Sequence, residues 1–337
     1  MTGGRTFTFL GPNFAFLNVN MMRNQVMANG ASITTWTFGG GFNNDRSVPS
    51  PVIEGIEGQL VQVTLDSMMP HTIHFHGLDV DQANDGVPST SGYVAHMAMG
   101  NFGRVQGYTN LGTPFTYAFV APPAGTYAYH CHVDTVLHLE MGMHGTVIIR
   151  PPDGNANLAW AGGPSFDKEY VWHLHTFDSS WHQGGMPVSG PGTVRHRPDY
   201  FMINGRDGAD TLSDPTTAIT AAAGETVLIR TNNMGYQPAL LQLGGLQFQV
   251  IASDGRPLPT PLVVTQHIVA PGERYDILFQ MPPATNRMAT VEYFDIRLIS
   301  VLGAVSTSIQ GGDAGNGIFA DGFESGDESA WSGSVGD

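Results

Sequence analysis

The chain has 337 residues but a single cysteine, Cys131, and a single lysine, Lys168. One cysteine cannot close an intrachain disulfide. One lysine and a formal net charge of -15 at pH 7 leave no basic surface to track phosphates. Nucleic acid and anionic membranes are therefore not expected as partners. Charged residues make up only 13% of the chain, against roughly 25% in an ordinary domain, so the polar faces of long amphipathic helices are missing. No apolar run is long enough to span a bilayer, and the opening MTGGRTFTFLGPNFAFLNVN lacks the apolar core of a secretory signal. A soluble protein is expected, either cytoplasmic or exported with a leader that this sequence does not include.

What the chain does have is 43 glycines and 22 prolines, which favour short strands and turns over helices. Gln59–Leu65, Phe115–Val120, Thr146–Ile149, Thr226–Ile229 and Tyr275–Phe279 are short, rich in β-branched and aromatic residues, and bounded by Gly or Pro. Strands at such spacing predict sandwiches or barrels. A hydrophobic share of 41% supports a sizeable core, and the length suggests about two domains. The stretch Pro151–Ser165 precedes a new strand-like run at Tyr170–Phe177 and marks a boundary, giving a first domain over 1–152 and a second over 166–310. From Gly311 to Asp337 the chain carries six acids and no bases among Gly and Ser, as a flexible acidic tail would. Its Phe319–Ser332 portion is similar to tails of exported proteobacterial proteins, which tilts the expected location to the periplasm or outside the cell.

Thirteen histidines and fifteen methionines hint at soft or borderline metal chemistry, although most methionines are expected to fill core space. The histidines fall in two patterned clusters, His71-Thr72-Ile73-His74-Phe75-His76-Gly77 and His130-Cys131-His132, the latter trailed by His138 and Met143. On extended chain, alternate side chains share a face. His130 and His132 then point one way and Cys131 the other; likewise His74 and His76 share a face opposite His71. Two adjacent sites follow. Cys131, His71, His138 and Met143 supply a thiolate, two imidazoles and a weak axial thioether, the donor set of an electron-transfer copper centre. Met141 is a rival axial donor, and the spacing from His138 favours Met143. His74, His76, His130 and His132 form a second, all-imidazole set that suits copper and also zinc or iron. His144 and His96 have no patterned partner and are expected to be structural.

At these residues the chain resembles the laccase-like multicopper oxidases of the cupredoxin superfamily. HTIHFHG (71–77) and GTYAYHCHVDTVLHLEMGM (125–143) match the two copper motifs of their type 1 copper domain, and Asn84-Asp85-Gly86-Val87-Pro88 matches the stretch that follows the first. The likeness extends to the second domain through Phe201–Gly205, Val250–Gly255 and Pro271–Asp276. It implies an all-β protein of two cupredoxin-like Greek-key β-sandwich domains. It also implies type 1 copper at Cys131, a type 2/type 3 cluster at the four imidazoles, a small-molecule electron donor, and oxygen as acceptor. Asp85 is the expected catalytic residue, orienting water or delivering protons. Two-domain members build their cluster between subunits, which implies a homotrimer.

The departures are specific. Such a cluster takes eight histidines, yet the second domain reads Pro238–Gly245 (PALLQLGG) and Glu292–Arg297 (EYFDIR) where imidazoles belong. Its His173 and His175, with His182 nearby, are read either as surface or structural residues or as completing a metal site across an oligomer interface. Copper nitrite reductases share the layout, but the stretch Tyr293–Ile299 lacks the histidine that such an enzyme takes from the neighbouring subunit. A nitrite reductase-like enzyme and a non-catalytic copper-binding cupredoxin are the alternatives to an oxidase.

Overall fold

The computed structural model describes residues 12–40, 48–67, 70–88, 114–182, 196–295, 297 and 299–312. Its first half carries strands β1 (Phe14–Val26), β2 (Ser32–Gly40), β3 (Ser50–Ile56), β4 (Leu60–Asp66), β5 (His74–His76), β6 (Phe115–Val120), β7 (Gly125–His130) and β8 (His144–Arg150). These form two four-stranded sheets, ordered β2-β1-β4-β6 and β3-β8-β7-β5. The parallel pairs β1–β4 and β3–β8 require crossovers between the sheets, the mark of a Greek-key sandwich. Between them pack Leu17, Trp36, Val63, Phe75, Tyr117 and Tyr127, in one core with Cys131 and Met143. Removing such a set from water is the main stabilising term of a sandwich.

The second half repeats the plan on a larger scale, from β9 (Lys168–Phe177) and β10 (Tyr200–Ile203) through β11 (Ile219–Ala222), β12 (Thr226–Asn233), β13 (Ala239–Gln242), β14 (Phe248–Ser253), β15 (Arg256–Val264), β16 (Gln266–Val269), β17 (Arg274–Gln280), β18 (Asn286–Asp295) and β19 (Ser300–Gly312). Sheets ordered β10-β9-β12-β17-β14-β15 and β11-β19-β18-β13-β16 enclose a second core around Trp172, Phe248, Ile277 and Tyr293. The all-β, two-sandwich architecture expected from composition and resemblance is the one observed.

Three details add to the sequence reading. β15 contains Pro257, Pro259 and Pro261, which deny it ladder donors. It forms nonetheless, because it is an edge strand pairing only with β14. β19 continues through Gly312, so the first two residues of the expected tail are strand, and residues 313–337 lie outside the described residues. The boundary stretch is packed rather than loose: Ala159 and Phe166 are buried against Leu228 and Ile251.

The two sandwiches meet along β8 and β9, and period-2 alternation explains the meeting. Val147 and Ile149 of β8 enter the first core, while Trp172 and Leu174 of β9 enter the second. The opposite faces confront each other in steps of two: Arg150 pairs with Glu169, Ile148 packs on Val171, Thr146 meets His173, and His144 meets His173 and His175. Among the described residues, no helix is long and apolar enough to cross a membrane.

Candidate metal centres

Cys131 follows the last residue of β7, where the chain leaves the sheet and turns into the short helix α1 (Thr135–Glu140). The backbone amide of Cys131 donates to the Met143 carbonyl (3.1 Å), and that of Met143 donates to the His138 carbonyl (3.0 Å). Those bonds fold α1 and its following turn back over the sulfur. His138 Nδ1 lies 3.0 Å and His71 Nδ1 3.6 Å from Cys131 Sγ, and the two rings stand 4.8 Å apart between centroids. His138 is thus presented by a short helix. Met141 and Met143 are both buried in the surrounding core. Burial pushes the Cys131 thiol up to about 12 and His138 down to about 4, and it holds His71 well below its usual value with help from His138. The metal-free pocket is therefore a neutral thiol between neutral imidazoles. A soft sulfur and two nitrogens in a buried pocket, with Met141 and Met143 in the same core, fit copper by the chemistry of the donor set.

On the other face of the same segment, β5 and β7 pair so that His74 lies opposite His130 and Phe75 opposite Tyr129. Ligand nitrogens of His74, His76 and His130 come within 4.8 Å of one another. His132 stands beside them, its ring 5.2 Å from His74 and 6.0 Å from His130, outside that three-residue group. Two of the rings are held by Nδ1, while His76 Nδ1 lies 3.3 Å from His130 Nε2. His130 Nδ1 bonds the Cys131 carbonyl (2.9 Å), and His74 Nδ1 bonds the Asp85 carbonyl (2.7 Å) with the Asp85 carboxylate at 3.2 Å. Fixing Nδ1 in this way frees Nε2 to face a metal. Gly86 makes the contact with Asp85 feasible. Its φ is +73°, and a Cβ there would sit 1.7 Å from the Ile73 carbonyl oxygen, so a side chain would lift the loop off the strand that carries His74. Burial lowers His130 to about 3 and His76 to about 4, the latter with the Arg274 guanidinium and His74 adding to the effect.

The second sandwich contributes to this neighbourhood without contributing imidazoles. Arg274 lies against Gly77, where a Cβ would meet its guanidinium at 2.0 Å, and Gly272 lies against the His76 ring. The sequence reading missed Arg274, and it also missed Glu140. That carboxylate is buried, accepts the Asp178 amide (2.6 Å), and bridges His196 (2.9 Å) and His182 (3.4 Å). Burial alone would raise its pKa, but those partners hold it below the usual carboxylate range.

His173 and His175 require a correction. Neither is on the surface; both are buried inside the chain at the seam between the sandwiches, grouped with His144. His182 is engaged by Glu140 and by the Thr34 carbonyl (2.7 Å) instead. His96 lies outside the described residues.

The pKa directions predict acid lability of the metal-free protein. Unfolded imidazoles bind protons near pH 6.5, whereas the buried ones at His138, His76, His130 and His144 do so only near 3 to 4. Stability is complete above about pH 6.5 and is lost progressively as pH falls toward 4. Thermal unfolding of chelator-treated protein is expected to shift down by at least several degrees between pH 7.5 and 5; an unchanged midpoint contradicts the buried neutral rings.

Two family profiles, each described as Multicopper oxidase, match residues 17–153 and 172–300. The chain belongs to the multicopper oxidase family. As a multicopper oxidase it is 27% identical over 257 residues to a putative laccase-18 of Oryza sativa subsp. indica, covering 72% of this chain and 39% of the relative. It is 34% identical over 172 residues to L-ascorbate oxidase of Cucumis sativus, covering 48% and 25% respectively. The crystal structure of blue copper oxidase from Nitrosomonas europaea superposes with a TM-score of 0.67 at 27% identity, covering 88% of this chain and 85% of that one. The chain spans about two fifths of the length of the rice laccase it matches. The family implies copper as the metal.

Proposed function

We propose that this multicopper oxidase is a laccase-like oxidoreductase that takes single electrons from a small reducing substrate and passes them to oxygen. The observation that carries the reading is the back-to-back placement of two donor sets on one segment. Cys131 faces His71 and His138, while its chain neighbour His130 faces His74 and His76. In this reading Cys131, His71, His138 and Met143 hold a type 1 copper, and His74, His76, His130 and His132 hold copper of the type 2/type 3 kind. Bound copper supplies one-electron redox chemistry at both places. The chain supplies the path: Cys131 and His130 are joined by one peptide link, and the His130 ring is tied back to the Cys131 carbonyl, so few covalent bonds separate the sites.

Asp85 is assigned to positioning and proton supply. It grips His74 through both its carbonyl and its carboxylate, and the carboxylate is partly open to water, where it can exchange protons. Asp85→Asn preserves the carbonyl contact and removes the proton carrier. Oxygen turnover is expected to fall about 10- to 100-fold, in line with outer-shell changes at metal sites, and the loss is expected to vary with pH while copper content and blue colour stay unchanged. An unaltered pH profile would remove Asp85 from proton delivery.

The direct test of the function is copper content with oxygen uptake on a phenolic donor. Blue copper with no oxygen consumption would sink the oxidase reading, and turnover of nitrite to nitric oxide would favour the nitrite reductase-like one. A homotrimer belongs to the same proposal, on the likeness to two-domain family members that build their cluster between subunits; light scattering of the holoprotein checks it. So does a periplasmic or secreted location, supported by the acidic tail and checked by cell fractionation.

A further inference from the structure

The seam between the sandwiches holds a third set of donors that neither copper motif includes. His144 opens β8, and His173 and His175 are successive same-face residues of β9, so the strand pleat aims all three rings into one space. Their ligand nitrogens lie within 4.8 Å of one another. The His144 and His173 rings are stacked at 4.7 Å, and His175 stands edge-on to both, at 4.9 and 5.9 Å. All three are buried. Both nitrogens of His175 and Nε2 of His144 lack any hydrogen-bond partner. Buried imidazole nitrogens without partners are costly in a folded core, and three unpaired nitrogens on two of three converging rings form the arrangement expected of ligands.

The surrounding groups prepare the rings as ligands. Thr146 Oγ1 lies 3.3 Å from His173 Nδ1 and is itself fixed by the Asn232 amide at 2.7 Å. With His173 donating from Nδ1 to that oxygen, its Nε2 lone pair is directed at His144 Nδ1, 2.7 Å away. Two lone pairs so close require a cation or a proton between them. Among the described residues no carboxylate or thiolate joins the set, and Glu140, the acid whose field reaches His144, is already bound to His182, His196 and the Asp178 amide.

We propose that His144, His173 and His175 form a buried three-imidazole site for a monovalent copper ion, which ties the two sandwiches together separately from the two copper motifs. The charge follows from the donors. Neutral ligands in a dry seam leave the ion's charge uncompensated, and by a Born argument, in which cost rises as the square of the charge, a divalent ion is roughly fourfold costlier to bury. Structural zinc also calls for a fourth donor to complete a tetrahedron, and the group offers three. This inference does not rest on oxidase activity.

The test uses the full chain purified with its metals. Anomalous diffraction of wild-type crystals at the copper and zinc edges is expected to place copper between the three rings, with an absorption edge of the reduced ion. His175→Leu and His173→Gln are each expected to lose one copper equivalent per chain in elemental analysis while the blue absorbance of the Cys131 site is kept. Absence of copper signal between the rings in copper-replete crystals overturns the proposal, as does zinc at that position or unchanged copper content in both variants. The wild-type measurement decides the matter even if the variants fail to fold.

Discussion

Cys131→Ser is expected to abolish the blue absorbance and to lower oxygen turnover by more than about 100-fold, beyond the 10- to 100-fold range typical of outer-shell changes. The thiolate is the only soft anionic donor in the chain, and an alcohol in its place neither ionises near neutral pH nor gives the sulfur-to-copper charge transfer behind the colour. The change is nearly isosteric, so the core around Leu137, Met141 and Met143 should stay packed, and His74, His76 and His130 should still take up metal. The variant is therefore expected to retain part of its copper but none of its blue colour, which elemental analysis and an electron paramagnetic resonance spectrum distinguish. A companion effect follows from the thiol's elevated pKa of about 12. Wild-type protein must expel a proton from Cys131 to accept copper, so loading should release one proton that the serine variant does not release. A blue band that survived in Cys131→Ser would remove the type 1 assignment, whatever the turnover.

The parts of this centre that were legible in the sequence are those fixed by local spacing. His130, Cys131 and His132 alternate faces wherever the chain is extended, so two back-to-back sites could be inferred from three letters, although the strand ends at His130. His71, His74 and His76 are tied to them by one strand pairing, β5 on β7, which the matching motifs already suggested. The grouping of His144 with His173 and His175 was not legible, because it depends on how two sheets face each other across the seam and on a register that no turn or motif encodes. Half of the signal was present: His173-Leu174-His175 on a strand declares a shared face, but not which surface covers it. β8 added to the difficulty, since His144–Arg150 is buried on both sides and shows no polar alternation. Asp85 was read from its carboxylate, whereas its backbone carbonyl makes the shorter contact to His74, a role any residue type could fill and no sequence could announce.

The same seam sets the largest stability effect. Arg230 of β12 is completely buried and donates to Glu169 (2.6 Å), to Asp276 (3.0 Å) and to the Thr126 hydroxyl (3.2 Å). Glu169 is shared with Arg150 (2.7 Å), which also pairs with Glu54 of β3 (2.8 Å). The network thus runs from the first sandwich through β9 and β12 to β17 and back to Thr126 of β7, which donates to Asp276. Arg230→Met keeps the volume and strands Asp276 with one hydroxyl for company. Removing one partner of a buried pair costs about 3–5 kcal/mol, which for a chain of this size lowers the unfolding midpoint by on the order of 10 °C. Burial already raises the Asp276 pKa while Arg230 opposes that rise, so loss of Arg230 drives the carboxyl further up. A folded-state pKa above the unfolded one stabilises below the unfolded value and loses that stability as pH climbs through the folded value. The deficit of Arg230→Met should accordingly be smaller at pH 5 than at pH 8. Adding Asp276→Leu removes the orphaned charge and is expected to recover most of the loss, since replacing both members of a buried pair by apolar groups is often neutral. Thermal unfolding of the single and double variants at both pH values tests this: a single variant within about 1 kcal/mol of wild type, or a double variant no better than the single, would show that the seam is held by its apolar contacts and not by this network.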